Sequence, residues 1–382
     1  MATITFVQLL IICSIFAIIM HDMSEVIRGR RRLLLYLPFV LLPVIDGNLF
    51  TLRATLFVIC KLYYLIKTDR MSLKYAIFLS VLTGLLIAWR SEYIYMLMLL
   101  PFTLWFLKKI SVKHALVLCV VCFISYSIFQ IPNKIALNGS NKYPISLVLN
   151  PVANLFTEIE TLKGPCVYDD VMEINKLVDA ALLRQSASVR NISQYWNIPE
   201  VLQKEQLSSF MKASLRLIIY NPDKFLKYRW QTFAYTNGLY PDRVNHPCGT
   251  VDSINKLVYY DMDYKEMFVF MNPPLGQSLR EKTISLLACR TYGQDAITTN
   301  LLLPVFYNCI PVIVCMLALF VIACCKKDKL TAMLTLMVSA QVVLIFLTAP
   351  AMFFMYYFCF YLSGYFLTML ALAGTKKTIP LD

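Results

Sequence analysis

Two apolar runs, residues 75–89 and 93–107, are separated by nothing but Arg90-Ser91-Glu92 and bracketed by Lys74 and Lys108. Wound as helix at about 1.5 Å per residue, the stretch from Tyr75 to Leu107 reaches about 50 Å. Two full crossings of a hydrocarbon layer about 30 Å thick need about 60 Å. The turn is therefore drawn below the membrane surface, and its arginine and glutamate sit in a hollow lined by protein. Charges at that depth are costly to bury, so their default reading is functional.

The same grammar runs through the chain. Apolar runs at 3–21, 33–49, 50–66, 75–89, 93–107, 115–131, 301–325, 330–347 and 352–373 alternate with short segments rich in Lys and Arg. With 58% apolar residues and a mean hydropathy of +0.61, a soluble domain is excluded. The net charge of +13 does not mark a nucleic-acid surface. Fifteen of the 36 Lys and Arg stand in five short segments that carry +10 between them, and this is the asymmetry of cytoplasmic loops. Residues 1–21 have no preceding Lys or Arg and no small-residue cleavage site, so they read as a retained helix rather than a signal peptide.

The predicted fold is an all-α polytopic membrane protein of about nine transmembrane helices with a mainly helical extracytoplasmic domain. Residues 1–131 form an N-terminal membrane domain of six helices, 132–300 the extracytoplasmic domain, and 301–382 a C-terminal membrane domain of three helices. The N-terminus and the 132–300 segment lie outside, the C-terminus in the cytoplasm.

The run pair 33–49 and 50–66 is a second short hairpin, turning near Asp46 and Arg53. Both hairpins turn at the outer face, so Asp46, Arg53, Arg90 and Glu92 are expected around one outward-facing cavity. Two readings stand side by side. In one, the arginines reach to lipid headgroups and the acids balance them. In the other, Arg90 and Arg53 grip a lipid phosphate through paired hydrogen bonds. Asp46 and Glu92 are then the candidate catalytic acids, placed to take a proton, bind a hydroxyl or hold a divalent cation. No cofactor is required by the sequence, and twelve Cys with three His give no metal-ligand pattern.

Within the outer segment, residues 170–183 and 200–220 read as helices, the second stopped by Asn221-Pro222. Residues 222–233 follow as a helix with Phe225, Leu226, Arg229, Trp230 and Phe233 at helical spacing. Lys227, Arg229 and Trp230 suit an interfacial helix touching anionic headgroups. A loop helix packing its aromatic side inward is the alternative. Cys166, Cys248 and Cys289 are the outer cysteines, enough for one disulfide whose pairing the sequence leaves open.

Trp-Arg-Ser-Glu at the turn, the Asn-Pro-x-x-Phe-x-x-x-Arg helix (Asn221, Pro222, Phe225, Arg229) and the Ala-Pro-x-x-x-x-x-Tyr-Tyr entry to the last run (Ala349, Pro350, Tyr356, Tyr357) together resemble the multi-pass glycosyltransferases of the GT-C superfamily, in an uncharacterised bacterial branch. The resemblance implies inverting transfer of a sugar from a polyprenyl-phosphate carrier on the outer face, with Arg90 and Arg53 on the carrier phosphate. The partners it implies are that donor and membrane lipids, with no nucleic acid. The family takes its catalytic acid from a long first outer loop after an inside-starting helix. Here the first helix starts outside, so that helix and loop are missing from the pattern and Asp46 and Glu92 remain as candidate base. A non-catalytic or degenerate relative, or a transporter or flippase of lipid-linked or anionic cargo, is the competing expectation.

Overall fold

A computed structural model of the chain describes residues 2–27, 29–38, 49–137, 143–181, 202–237, 239, 278, 308–349 and 354–374. It is 85% helical, with no strand among the described residues, as the all-α reading requires. The chain divides into two compact units.

Unit 1 comprises residues 1–133, 309–345 and 357–382. Its helices are α1 (Ala2–Val26), α2 (Leu49–Lys67), α3 (Leu73–Trp89), α4 (Met96–Phe106), α5 (Val112–Leu137), α10 (Ile310–Cys325), α11 (Lys329–Thr348) and α12 (Phe358–Ala373), α5 and α11 continuing into unit 2. Two helical segments, Val112–Pro132 and Lys329–Thr348, are long and apolar enough to cross a membrane. α3, α10 and α12 are shorter apolar helices. The α5 segment turns a stripe of Leu116, Val120, Phe123, Ile124, Ile128 and Ile131 outward, each at least half exposed. A water-facing helix does not present so long an apolar stripe, whereas a lipid-facing one does. Helix contacts inside the unit are correspondingly close. A Cβ on Gly84 of α3 would stand 2.6 Å from Ser125 Cβ and 2.7 Å from the Cys122 carbonyl of α5. Backbones that approach this far need a residue without a side chain at the crossing.

Most of the basic segments are gathered at one end of unit 1. Lys61 pairs with Asp22 at 2.8 Å, and Arg70 with Glu25 at 3.2 Å, so α1 and α2 finish side by side. Lys109 reaches Asp69 at 2.6 Å, Lys67 lies 4.0 Å from Asp328, and Lys329 sits over the Phe106 ring. Arg31 Nη1 stands 3.8 Å from the place a Cβ on Gly374 would take. The short connections 29–32, 67–70, 108–109 and 326–329 therefore share a face, although they are scattered over 300 positions of sequence.

Some boundaries depart from expectation. The run 33–49 opens as a 3-10 helix, Gly29–Tyr36, that begins within the arginine cluster, and 39–48 lie outside the described residues. The run 93–107 opens as a 3-10 turn, Ser91–Tyr93, which leaves α4 only 11 residues.

Unit 2 comprises residues 134–308 and 346–356. It contains α6 (Tyr143–Leu155), a 3-10 helix (Phe156–Thr161), α7 (Val167–Asn175), α8 (Lys204–Tyr220) and α9 (Pro222–Thr236). Its core gathers Leu149, Val152, Phe156, Ile174, Phe210 and Leu217, all at most 1% exposed. The helix expected over 170–183 stops at Asn175. There the Asn175 side chain accepts from Ala180 N at 2.9 Å and Asp179 from Ala181 N at 3.0 Å. Such side-chain acceptors offer the backbone an alternative to the helical ladder. α8 starts at Lys204 behind a capping box of Gln203 and Gln206, and α9 carries Pro222 in its first turn, where a missing N–H costs nothing.

Candidate functional site

α3 ends at Trp89 because Arg90 is extended (φ −142°, ψ 118°), its N–H closing the last turn on the Leu86 carbonyl. From α5, Gln130 Nε2 donates to the Ala88 carbonyl at 2.9 Å, satisfying one of the carbonyls that a helix end leaves open. The chain then folds into the 3-10 turn, with Tyr93 N donating to Arg90 O and Ile94 N to Ser91 O. This reversal carries the Arg90 side chain onto Glu92. Nε donates to one carboxylate oxygen at 3.3 Å and Nη2 to the other at 3.1 Å. The arrangement is a side-on fork, the strong form of the arginine–carboxylate pair.

The pair is largely covered, at 18% and 11% side-chain exposure. Tyr93 beside it is 2% exposed, and its hydroxyl shares a hydrogen-bonded cluster with Thr55 of α2 and Cys359 of α12. The Arg90 charge acts on Cys359, so the guanidinium lies within electrostatic range of the start of α12. α3 is about 25 Å long at 1.5 Å per residue, and its other end adjoins the basic segment at Arg70. The Arg90 site thus lies at the far end of unit 1 from the basic face. It combines a guanidinium, a carboxylate and hydroxyls among apolar helices, groups suited to an anion bearing hydroxyls.

Of the four charges expected around one cavity, the structure describes the side chains of two, and it brings these two together. Arg53 falls in α2, two positions before Thr55, with its side chain outside the described residues, as is Asp46. Among the described residues no group of three His, Cys, Asp or Glu could hold a metal ion. Cys166 is exposed, and Cys248 and Cys289 lie outside the described residues.

The interfacial residues are placed differently from expectation. Arg229 is 1% exposed, and its fork donates Nε to the Phe346 carbonyl at 2.6 Å and both terminal nitrogens to Ala349 O at 3.1 Å. It serves the packing of unit 2, not a headgroup. Asn221 is fully buried, accepting from Lys163 N at 2.8 Å and donating to the carbonyls of Lys163 and Leu217. The two ends of the Asn-Pro-x-x-Phe-x-x-x-Arg motif are thus both structural. Lys227 turns to Glu158 at 3.1 Å, and Trp230, half exposed, keeps the outward position an interfacial residue needs.

Glu158 was not foreseen. It accepts from the Tyr228 hydroxyl at 2.5 Å and faces Lys224 and Lys227, both at 3.1 Å. The tyrosine first, then the two lysines, hold its carboxyl down at about 2. Nothing in the sequence joins it to a helix 70 positions away. The Tyr93–Thr55–Cys359 cluster was also missed; its only signal was a tyrosine directly after the charged turn.

No known protein family matches the chain, and no match is found among curated proteins or solved structures.

Proposed function

We propose that this chain is a multi-pass membrane transferase that moves a sugar from a polyprenyl-phosphate carrier to a hydroxyl acceptor. The reaction takes place at the end of unit 1 remote from the basic face. In this reading the nine apolar runs span the membrane, the basic face is cytoplasmic, and the carrier phosphate binds Arg90 from the outer side with Arg53 as second contact. The observation that carries it is the covered Arg90–Glu92 fork, next in sequence to the buried Tyr93 hydroxyl cluster, at the turn of a hairpin too short to clear a bilayer.

The acceptor oxygen attacks the anomeric carbon as the bond from that carbon to the phosphate oxygen breaks. The bonding pair leaves with the polyprenyl phosphate, and the acceptor proton passes to a carboxylate. Glu92 has both oxygens engaged by Arg90 in the resting chain. A phosphate that takes over those N–H donors releases Glu92 to receive the proton, so donor binding switches on the base. Asp46 is the second candidate for that role. The same engagement favours one competing reading, a lipid-phosphate binder without catalysis, in which the fork never opens.

The test uses the full chain in nanodiscs with a polyprenyl-phosphate hexose. Arg90→Ala removes charge-assisted bonds of about 1.5–3 kcal/mol and should weaken donor binding about ten- to a hundred-fold. Glu92→Gln should keep the donor yet lose transfer by at least about a hundred-fold, the usual contribution of a general base. Unchanged donor affinity in Arg90→Ala overturns the phosphate assignment. Donor binding without turnover in the unaltered chain, across hydroxyl acceptors, selects the non-catalytic reading.

A further inference from the structure

At the basic end of unit 1, α2, α10, α11 and α12 enclose a cavity of about 430 Å³. That volume falls in the range of about 300–1,000 Å³ typical of ligand sites. Its polar groups cluster at the helix ends: Lys67 closes α2, while Lys326 and Asp328 form the α10–α11 connection. Gly374, also in the lining, has Arg31 Nη1 near its Cα. From Lys326 back to Cys315, the deepest α10 residue in the wall, is about 16 Å of helix at 1.5 Å per residue. Over that length the α10 wall is apolar. Two wall residues, Ile322 of α10 and Leu372 of α12, are 49% and 64% exposed, so the apolar wall is accessible rather than sealed in the core.

We infer that this cavity binds an anionic phospholipid from the leaflet on the basic side, with the phosphate at Lys67, Lys326 and Arg31 and one acyl chain along Ile322 and Leu372. The occupant must be anionic at one end and apolar for the rest. An apolar wall of that length suits an acyl chain, which a soluble phosphate compound does not have. Lys67 meets Asp328 only at 4.0 Å, the outer limit of an ion pair, so its ammonium can share a phosphate without breaking a tight contact. Asp328 is meanwhile held by Thr331, whose N–H and hydroxyl donate to its two oxygens at 3.2 and 2.8 Å. The carboxylate thus has its own partners and holds the Lys67 ammonium only loosely. The site lies at the far end of unit 1 from Arg90 and does not use the proposed transfer, so either reading can fail without the other.

The experiment titrates the full chain, in detergent, with short-chain phosphatidylglycerol and with phosphatidylcholine of equal chain length, reading bound lipid by native mass spectrometry. Phosphatidylglycerol should bind at least tenfold tighter. At about 1 kcal/mol per basic residue near an anionic lipid, Lys326→Gln and Lys67→Gln should each raise its Kd about fivefold, and the double variant about 30-fold. Lys113→Gln, with the same charge change outside the cavity, should do nothing. Ile322→Trp adds bulk to the apolar wall without changing charge and should weaken both lipids. Equal affinity for the two lipids overturns the inference, as do cavity lysines that behave like Lys113 or an Ile322→Trp variant that binds as before.

Discussion

Removing the Arg229 fork tests how unit 2 is held together. The carbonyl of Phe346 would ordinarily be bonded by the N–H four residues on, but that residue is Pro350, which has none. It stands with Ala349 O at the C-terminal end of α11, where a cation is also favoured by the helix dipole. Arg229 meets both carbonyls from a residue only 1% exposed. In Arg229→Ala two buried acceptors lose a charged donor, at about 1.5–3 kcal/mol for each, and a cavity opens. Since the bonds to Ala349 share one oxygen, the losses do not sum fully, and a net destabilisation of about 3–5 kcal/mol is expected. For a unit of this size each kcal/mol lowers the midpoint by about 2–4 °C, so the apparent Tm should fall by about 6–20 °C. Arg229→Lys keeps the charge but cannot fork across two carbonyls, and should lose about 1–3 kcal/mol. The assay is thermal unfolding of the full chain in detergent at one fixed scan rate. A shift below about 2 °C for Arg229→Ala would refute the clamp. So would an Arg229→Ala variant of unaltered stability that loses vesicle binding, the result a headgroup-contacting arginine would give.

Asn221→Ala removes three bonds at the α8–α9 corner and should destabilise unit 2 by about 2–4 kcal/mol, measured the same way; Asn221→Asp should rescue little, since its carboxylate would face the Lys163 and Leu217 carbonyls. Glu158 is held at about 2 against an ordinary 4.5, so it stabilises the folded state above about pH 4.5 and that stability drains away as pH falls towards 2. Acid titration should show this loss in the unaltered chain and not in Glu158→Gln; parallel curves would count against the Tyr228–lysine cluster. Gly84→Leu drives a side chain into the backbone of α5 and should cost at least about 3 kcal/mol, seen as a lower yield of monodisperse protein. An unchanged yield and Tm would mean that α3 and α5 do not cross so closely.

Much of the Arg90 turn was legible from residues alone. A charged triplet between two apolar runs can reverse the chain, and a glutamate two residues on is within reach of an arginine once the helix ends. The apolar runs announce helices, and the basic punctuation announces a shared face, because both follow from local transfer energies. The boundaries at Asn175 and Gly29 were not legible, since short side chains and turn geometry compete with helix there by small margins. Arg229 was misread for a different reason. A cation on an amphipathic helix looks the same from sequence whether its partner is a phosphate outside or a carbonyl inside.

By itself, then, the sequence determined that the chain is helical and membrane-like, with its cations concentrated in the connections and one ion pair set at the tip of a short hairpin. Each of these is written in neighbouring residues. Tertiary structure alone decided that Arg229 clamps carbonyls 117 and 120 positions away, and that Glu158 answers to Tyr228. It also decided that Lys67 and Lys326 stand at the mouth of one cavity. The physical reason is the range of the interactions: helix formation and hydropathy are settled within a few turns, whereas a partner for a buried charge comes from wherever packing brings a carbonyl or carboxylate.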